Sequence, residues 1–355
     1  MATLARDRKV LELARDLGLP ARRDPVAAIL RHALGQVDLL FRSSPIPIDS
    51  LETLRRVVAN KFRAKIEIIE DDTDVHRIAA ENVDFSPYLH QQLAREFLEG
   101  TTEGVTVERE SYTPLRSRFL VIADGRIGRR ARVYFTVWHE LSHLLVHPTQ
   151  LAFPGFRRTA PPEERAKDPL EQVVDHVAGH VAFFEPLFRL PAETAMATHG
   201  GATFAAIEDA RERAGIPRAS LYAAAMRTIL YTRVPTALVT VDLVLKPSER
   251  RCLRPPQTDL GLALPPTPTP QLRLTGYVAN RAAESGGLEI WRHMRVPAQS
   301  ALARAFLNES DGLWVASEDQ SWWGTSEKGL LPSLPLRVEA LRRGRFVYGL
   351  ISVRV

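Results

Sequence analysis

The 355-residue chain contains one cysteine, Cys252, so neither an internal disulfide nor a zinc site built from several thiolates is open to it. Any metal centre has to be assembled from histidine and carboxylate. No run of apolar residues approaches the length that crosses a bilayer, which leaves no candidate for a membrane-spanning helix and no expected membrane partner. Met1 to Val10 hold Arg6, Asp7, Arg8 and Lys9 where a secretory signal needs an apolar segment, so a cytoplasmic location is expected. Charge of one sign is not dominant either: the net charge is +5 with a pI near 9.5, carried by arginine. That excess favours acidic proteins or nucleic acid over cationic partners, and it fits a solvated arginine-rich surface at least as well as a dedicated nucleic-acid patch. The length and 45% hydrophobic content suffice for two or three domains with their own cores.

What is present centres on Tyr134 to His147, where an apolar helical pattern is interrupted by His139, Glu140 and His143. Four residues advance about 400° along an α-helix, so His139 and His143 stack on one face, close enough to share an ion, with Glu140 beside them. Two neutral imidazoles from one turn are a natural zinc-binding pair, and the adjacent carboxylate is suited to take a proton from a water that the metal activates. This is the pattern of a zinc-dependent hydrolase. His147 lies another turn on; three histidines spread over about 12 Å of helix cannot all reach one ion, so His147 is expected to support the site. Pro148 ends the helix.

A catalytic zinc needs a third protein ligand. Asp168 with Pro169 starts a second helix through Leu170, Val173, Val174, Val177, Ala178 and Val181, which offers Glu171, Asp175, His176 and His180. A carboxylate is favoured, and Glu171 and Asp175, one turn apart, can serve as ligand and support in either order. Glu140 is the expected catalytic residue, taking a proton from water and returning it to the leaving amine. Tyr112, Tyr134 and Arg132 are the nearby donors in sequence for a developing oxyanion.

Elsewhere the hydropathy pattern predicts two helices between Leu4 and Phe41, a linker at Ser44 to Ile48, and a helix from Leu51 to about Phe62 capped by Asp49 or Ser50. Strands are expected at Lys65 to Glu70, at the edge of a sheet, and at Gly104 to Glu108 and Phe119 to Ile122, with a helix over Pro87 to Leu98. Leu151 to Lys167 reads as an exposed loop. Thr203 to Tyr231 is helical in two pieces split by Gly215, Ile216 and Pro217, which fits a helix-turn-helix or a plain helical hairpin. A strand at Val234 to Leu245 precedes Pro247 to Pro270, whose seven prolines predict an extended loop. Strands follow at Leu272 to Val278, Leu288 to Val296, Leu313 to Ala316, Leu336 to Leu341 and Phe346 to Val353, with a helix near Gln299 to Leu307 and a final turn at Arg343 and Gly344. Trp291, Trp314, Trp322 and Trp323 either fill the core of this sheet or line a ligand pocket. The fold class is α+β.

Three stretches together resemble the ImmA/IrrE family of metallopeptidases, in particular the longer IrrE-type regulators of the radiation and DNA-damage response. Phe135-Thr136-Val137-Trp138-His139-Glu140-Leu141-Ser142-His143 is similar to that family's Phe-Thr-Leu-Ala-His-Glu-Ile-Ser-His. Asp168-Pro169-Leu170-Glu171-Gln172-Val173-Val174-Asp175 resembles its Asp-x-Leu-Glu-Gln-Val-Ile-Glu, and Leu190-Pro191-Ala192-Glu193 resembles its Met-Pro-Ala-Glu.

The helical pattern and the linker set off an N-terminal helical region at 1–45, and the resemblance implies a zincin-like peptidase domain at 46–200, a helix-turn-helix-like segment at 201–233 and a GAF-like sensor domain at 234–355. It implies zinc on His139 and His143, with manganese as the alternative ion, and Glu140 as catalytic acid/base. The third ligand falls on Asp175 in an ungapped match; the broader pattern Glu-x-x-x-Asn/Asp-x-x-Ala places it on Glu171, with Asp175 and Ala178 following. Asp175 stands where the family has a longer glutamate. The expected function is cleavage of a helix-turn-helix transcriptional repressor to switch on a stress response, with a small-molecule ligand expected at the GAF-like domain. The alternatives are a ligand- or DNA-binding regulator without turnover, and a partner-cleaving module of a toxin-antitoxin or phage system.

Overall fold

The computed structural model describes residues 4–20, 24–86, 88–99, 102–109, 116–146, 156–158, 168–252, 268–325 and 329–354. Helices and strands are mixed, as an α+β chain requires, and fall into two compact units: Met1–Phe188 with Arg211–Ala223, and Arg189–Ala210 with Ala224–Val355.

In the first unit the elements are α1 (Arg8–Asp16), α2 (Pro25–Ser43), α3 (Leu51–Phe62), β1 (Ala64–Ile69), α4 (Asp72–Glu81), α5 (Leu89–Leu93), β2 (Thr102–Glu108), β3 (Phe119–Asp124), α6 (Arg130–Val146), β4 (Phe156–Arg158) and α7 (Pro169–Val181). Local chemistry sets their starts. Asp7, Asp24 and Ser50 each accept a hydrogen bond from a first-turn N–H, at Lys9, Ala27 and Thr53, and Asp71 with Asp74 forms a reciprocal capping box. Of the two caps open for α3, Ser50 is used. The segment expected to be one helix from Pro87 to Leu98 is α5 followed by a wider turn, Ala94–Glu99; Pro87 lies outside the described residues.

The sheet of this unit has the order β1-β3-β2-β4, with β1 parallel to β3 at the edge and the other pairs antiparallel. Successive side chains alternate across β2. Val105 and Val107 enter a core with Ile78, Phe85, Leu93 and Phe97, while Gly104 and Thr106 face α6. At the turn from β3 into α6, the buried Asp124 carboxylate accepts from Arg126 at 2.7 Å and from Arg129, and Arg129 also donates to the Thr102 carbonyl. This clamp fixes where α6 begins relative to the sheet. Helices α2, α3 and α7 pack on α6, and α1 and α2 pack on α7.

The helices α8 (Glu185–Thr198), α9 (Phe204–Arg213) and α10 (Leu221–Thr228) follow. Helix α8, absent from the sequence expectations, carries Pro191 in its interior. The second unit is built on β5 (Thr236–Val244), α11 (Pro247–Cys252), β6 (Gln271–Ala279), α12 (Arg281–Ser285), α13 (Ala301–Leu307), β7 (Gly312–Asp319), β8 (Gly324–Thr325), β9 (Gly329–Leu330), β10 (Pro335–Arg343) and β11 (Phe346–Val353). Its five-stranded antiparallel sheet has the order β6-β5-β11-β10-β7. One face meets α13 around Val239, Leu302, Trp323, Val338 and Ile351; Trp314 packs at its margin, whereas Trp291 and Trp322 are partly exposed. Glu318 is buried under the start of α13, where its Oε1 accepts from the Ser300 hydroxyl at 3.0 Å and the Ala301 N–H at 2.7 Å. Burial pushes its carboxyl above the usual range despite those two bonds.

Some expectations shift. Leu288 to Val296 is not a strand: Gly287 at φ +75° and His293 at φ +73° break the extended run, and only Arg273 and Arg295 form an isolated bridge to β6. The proline-rich segment opens with α11, and residues 253–267 lie outside the described part. Within the expected loop after α6, β4 pairs with β2, and the remainder is likewise outside. The final hairpin turns at Gly344 and Arg345, one residue later than expected, with Gly344 at φ +57°.

Candidate metal centre

Helix α6 is buried on nearly every side from Tyr134 to Val146, because β2 and β3 cover one flank and α7 the other. Its polar residues are enclosed with it: Glu140 is fully buried, His139 is 1% exposed and His143 7%. Imidazoles held this deeply require partners. The His139 and His143 rings meet edge to face with centroids 4.9 Å apart and their Nε2 atoms 3.2 Å apart.

Helix α7 supplies the acidic side. Glu171 Oε2 lies 3.1 Å from His139 Nε2, and its Oε1 lies 3.6 Å from His143 Nε2. Asp175, one turn on, reaches the other nitrogen of the same ring: its Oδ1 is 2.9 Å from His139 Nδ1. With a carboxylate as acceptor, that nitrogen must donate, which fixes the ring's orientation and turns Nε2 toward His143 and Glu171. The start of α7 is tied down by Asp168, which caps Leu170 and pairs with Lys9 of α1 at 2.7 Å.

These spacings suit a cation. Bonds of about 2.0–2.1 Å in tetrahedral array place donor atoms ~3.3 Å apart. His139, His143 and Glu171 offer one ligand atom each, all within 4.8 Å of one another, and the shortest contacts among them bracket that value. Two ring nitrogens and a carboxylate directed at one another compete for few protons, whereas one ion satisfies all three. Burial pushes the Glu171 carboxyl up, but the hydrogen bond from His139 and the positive character of both rings outweigh it and hold it below the ordinary range.

Glu140 is placed from the other side. Its Oε2 accepts from the Thr106 hydroxyl of β2 at 2.8 Å. Close approach of strand and helix is permitted by Gly104, where an added Cβ would sit 3.0 Å from Glu140 Oε1 and closer still to Thr136. Neither Thr106 nor Gly104 was singled out in the sequence; the only signal was a glycine inside a strand, which marks a close backbone approach.

The other sequence candidates lie apart from this group. His176 and His180 pair edge to face with each other on α7 at 4.8 Å between centroids. Tyr134 is buried with its hydroxyl donating to the Ala182 carbonyl, and burial raises its pKa; Arg132 forms an ion pair with Glu103. His147 and Tyr112 are outside the described residues. No known family model matches this chain, and no curated protein matches it in sequence.

Proposed function

We propose that this chain is a zinc-dependent endopeptidase in which a zincin-like domain cleaves a helix-turn-helix transcriptional repressor and so switches on a stress response. The observation that carries the reading is the triangle formed by His139 Nε2, His143 Nε2 and the Glu171 carboxylate next to a buried glutamate, Glu140. Zinc, or manganese as the alternative, held by those three groups would supply a Lewis acid that polarises a peptide carbonyl and acidifies water.

The rest is work for the chain's own side chains. Asp175 holds His139 in the orientation that keeps Nε2 directed at the shared point. Thr106 fixes one oxygen of Glu140. Glu140 takes a proton from the attacking water and passes it to the departing amine. The repressor as substrate, and a GAF-like second unit sensing a small molecule, rest on the sequence resemblance.

The test combines metal content with cleavage. The purified full chain should hold about one zinc and cut a helix-turn-helix repressor from the same genome while sparing an unrelated protein. His143→Ala should lose the metal, and Glu140→Gln should keep the metal and lose cleavage. Wild-type cleavage by Glu140→Gln would overturn the assignment.

A further inference from the structure

The first unit also holds a cavity of about 640 Å³ set against the opening turns of α6, away from the imidazole pair. Its walls come from α3, the end of β1, the start of α6 and the turn around Gly215 to Arg218. Four arginines line it, Arg55, Arg130, Arg211 and Arg218, against two glutamates, Glu52 and Glu70. The remaining surface is largely apolar, with Ile68, Ile216, Pro217 and the ring of Tyr134.

Arg55, 17% exposed at its side chain, gives Nη2 to Glu52 at 2.5 Å, yet its Nε is buried with no hydrogen-bond partner among the described residues. A buried guanidinium N–H left in that state costs free energy that an incoming oxygen recovers. Arg211 is buried and donates through Nη2 to the Pro217 carbonyl, which holds the turn closed against the cavity. Arg130 and Arg218 sit at the exposed rim, and neither forms an ion pair among the described residues.

We propose that this cavity binds a small phosphate monoester with an apolar body, the chemistry of a nucleoside monophosphate. A phosphate monoester carries about −1.5 to −2 at neutral pH, which matches the excess of guanidinium over carboxylate, and its oxygens accept the forked donation of arginine. The volume lies within the range of about 300–1,000 Å³ typical of small-molecule sites. The apolar patch between the charged walls accommodates a base or similar ring. Tyr134 and Arg130 belong to the helix that carries His139 and His143, so a ligand here would bear on the same rigid element. Binding at this cavity does not require a metal at the imidazole pair.

The experiment is calorimetric titration of the full chain with adenosine 5′-monophosphate, inorganic phosphate and adenosine. The monophosphate should bind saturably with one site, more tightly than phosphate alone, while adenosine binds far more weakly. The rim variant R130E/R218E should weaken the monophosphate by about tenfold or more, because it reverses two charges facing the ligand, and circular dichroism and zinc content should stay as in the wild type. Absence of saturable monophosphate binding, unchanged affinity in the rim variant, or equal affinity for adenosine would overturn the proposal. So would selective, variant-sensitive binding of an acidic peptide in place of the monophosphate.

Discussion

Asp175 Oδ1 lies 2.9 Å from His139 Nδ1, on the side of the ring away from His143, and that one contact separates the duties of the two carboxylates of α7. Asp175 is engaged with the outer nitrogen, and Glu171 is the one that faces the gap between the two Nε2 atoms. A shorter side chain suffices at 175 because the ring it supports is already close.

The two acids should therefore fail differently. Glu171→Gln should cost most of the bound zinc, as should His143→Ala, whereas Asp175→Asn should retain one zinc with affinity lowered by about 10–100-fold. Competition with a chromogenic chelator distinguishes the two; equal losses at 171 and 175 would contradict the division.

Thr106→Val keeps the shape of the side chain and removes the donor to Glu140. We expect zinc content to hold and kcat for repressor cleavage to fall on the order of tenfold, with KM little changed, because the carboxylate loses its fixed position rather than its chemistry. Thr106→Ser, which restores the hydroxyl, should recover most of the rate.

Gly104→Ala forces a methyl group into the space of Thr136 and Glu140. The expected cost is about 1–3 kcal/mol of stability, read by urea denaturation of the metal-free chain, together with a loss of cleavage. A further Thr136→Ser change removes the methyl group that the new Cβ meets and should return part of the stability.

Glu318 gives a pH signature in the second unit. Its folded-state pKa is raised by burial, so protonated Glu318 favours the fold below its unfolded value, and that contribution is lost as pH rises through the higher folded value. Stability of the wild type should decline over the interval just above the normal carboxylate range, and Glu318→Gln should flatten the decline in a pH series of thermal melts.

Much of the centre was legible because it is local. The spacing of His139 and His143, and the Asp168-Pro169 start of α7, follow from helix geometry and capping alone. Which of Glu171 and Asp175 faces the pair was not, since both lie on one helix face and the choice depends on how α7 is rotated against α6. The roles of Thr106 and Gly104 are hidden in the sequence for the same reason: they exist only once β2 lies beside α6. The segment Leu288 to Val296 shows the limit of alternation, because His293 adopts a left-handed backbone that its hydrophobic neighbours do not announce.

The ion pair between Lys9 and Asp168 joins positions 159 residues apart. During synthesis, α1 emerges long before α7, so a chain paused after α6 carries both histidines with neither acid in place. On the proposed reading, a chain stopped before Glu171 would carry the histidine pair without the carboxylate that faces it, and the three-group site becomes complete only once the first turn of α7 has emerged.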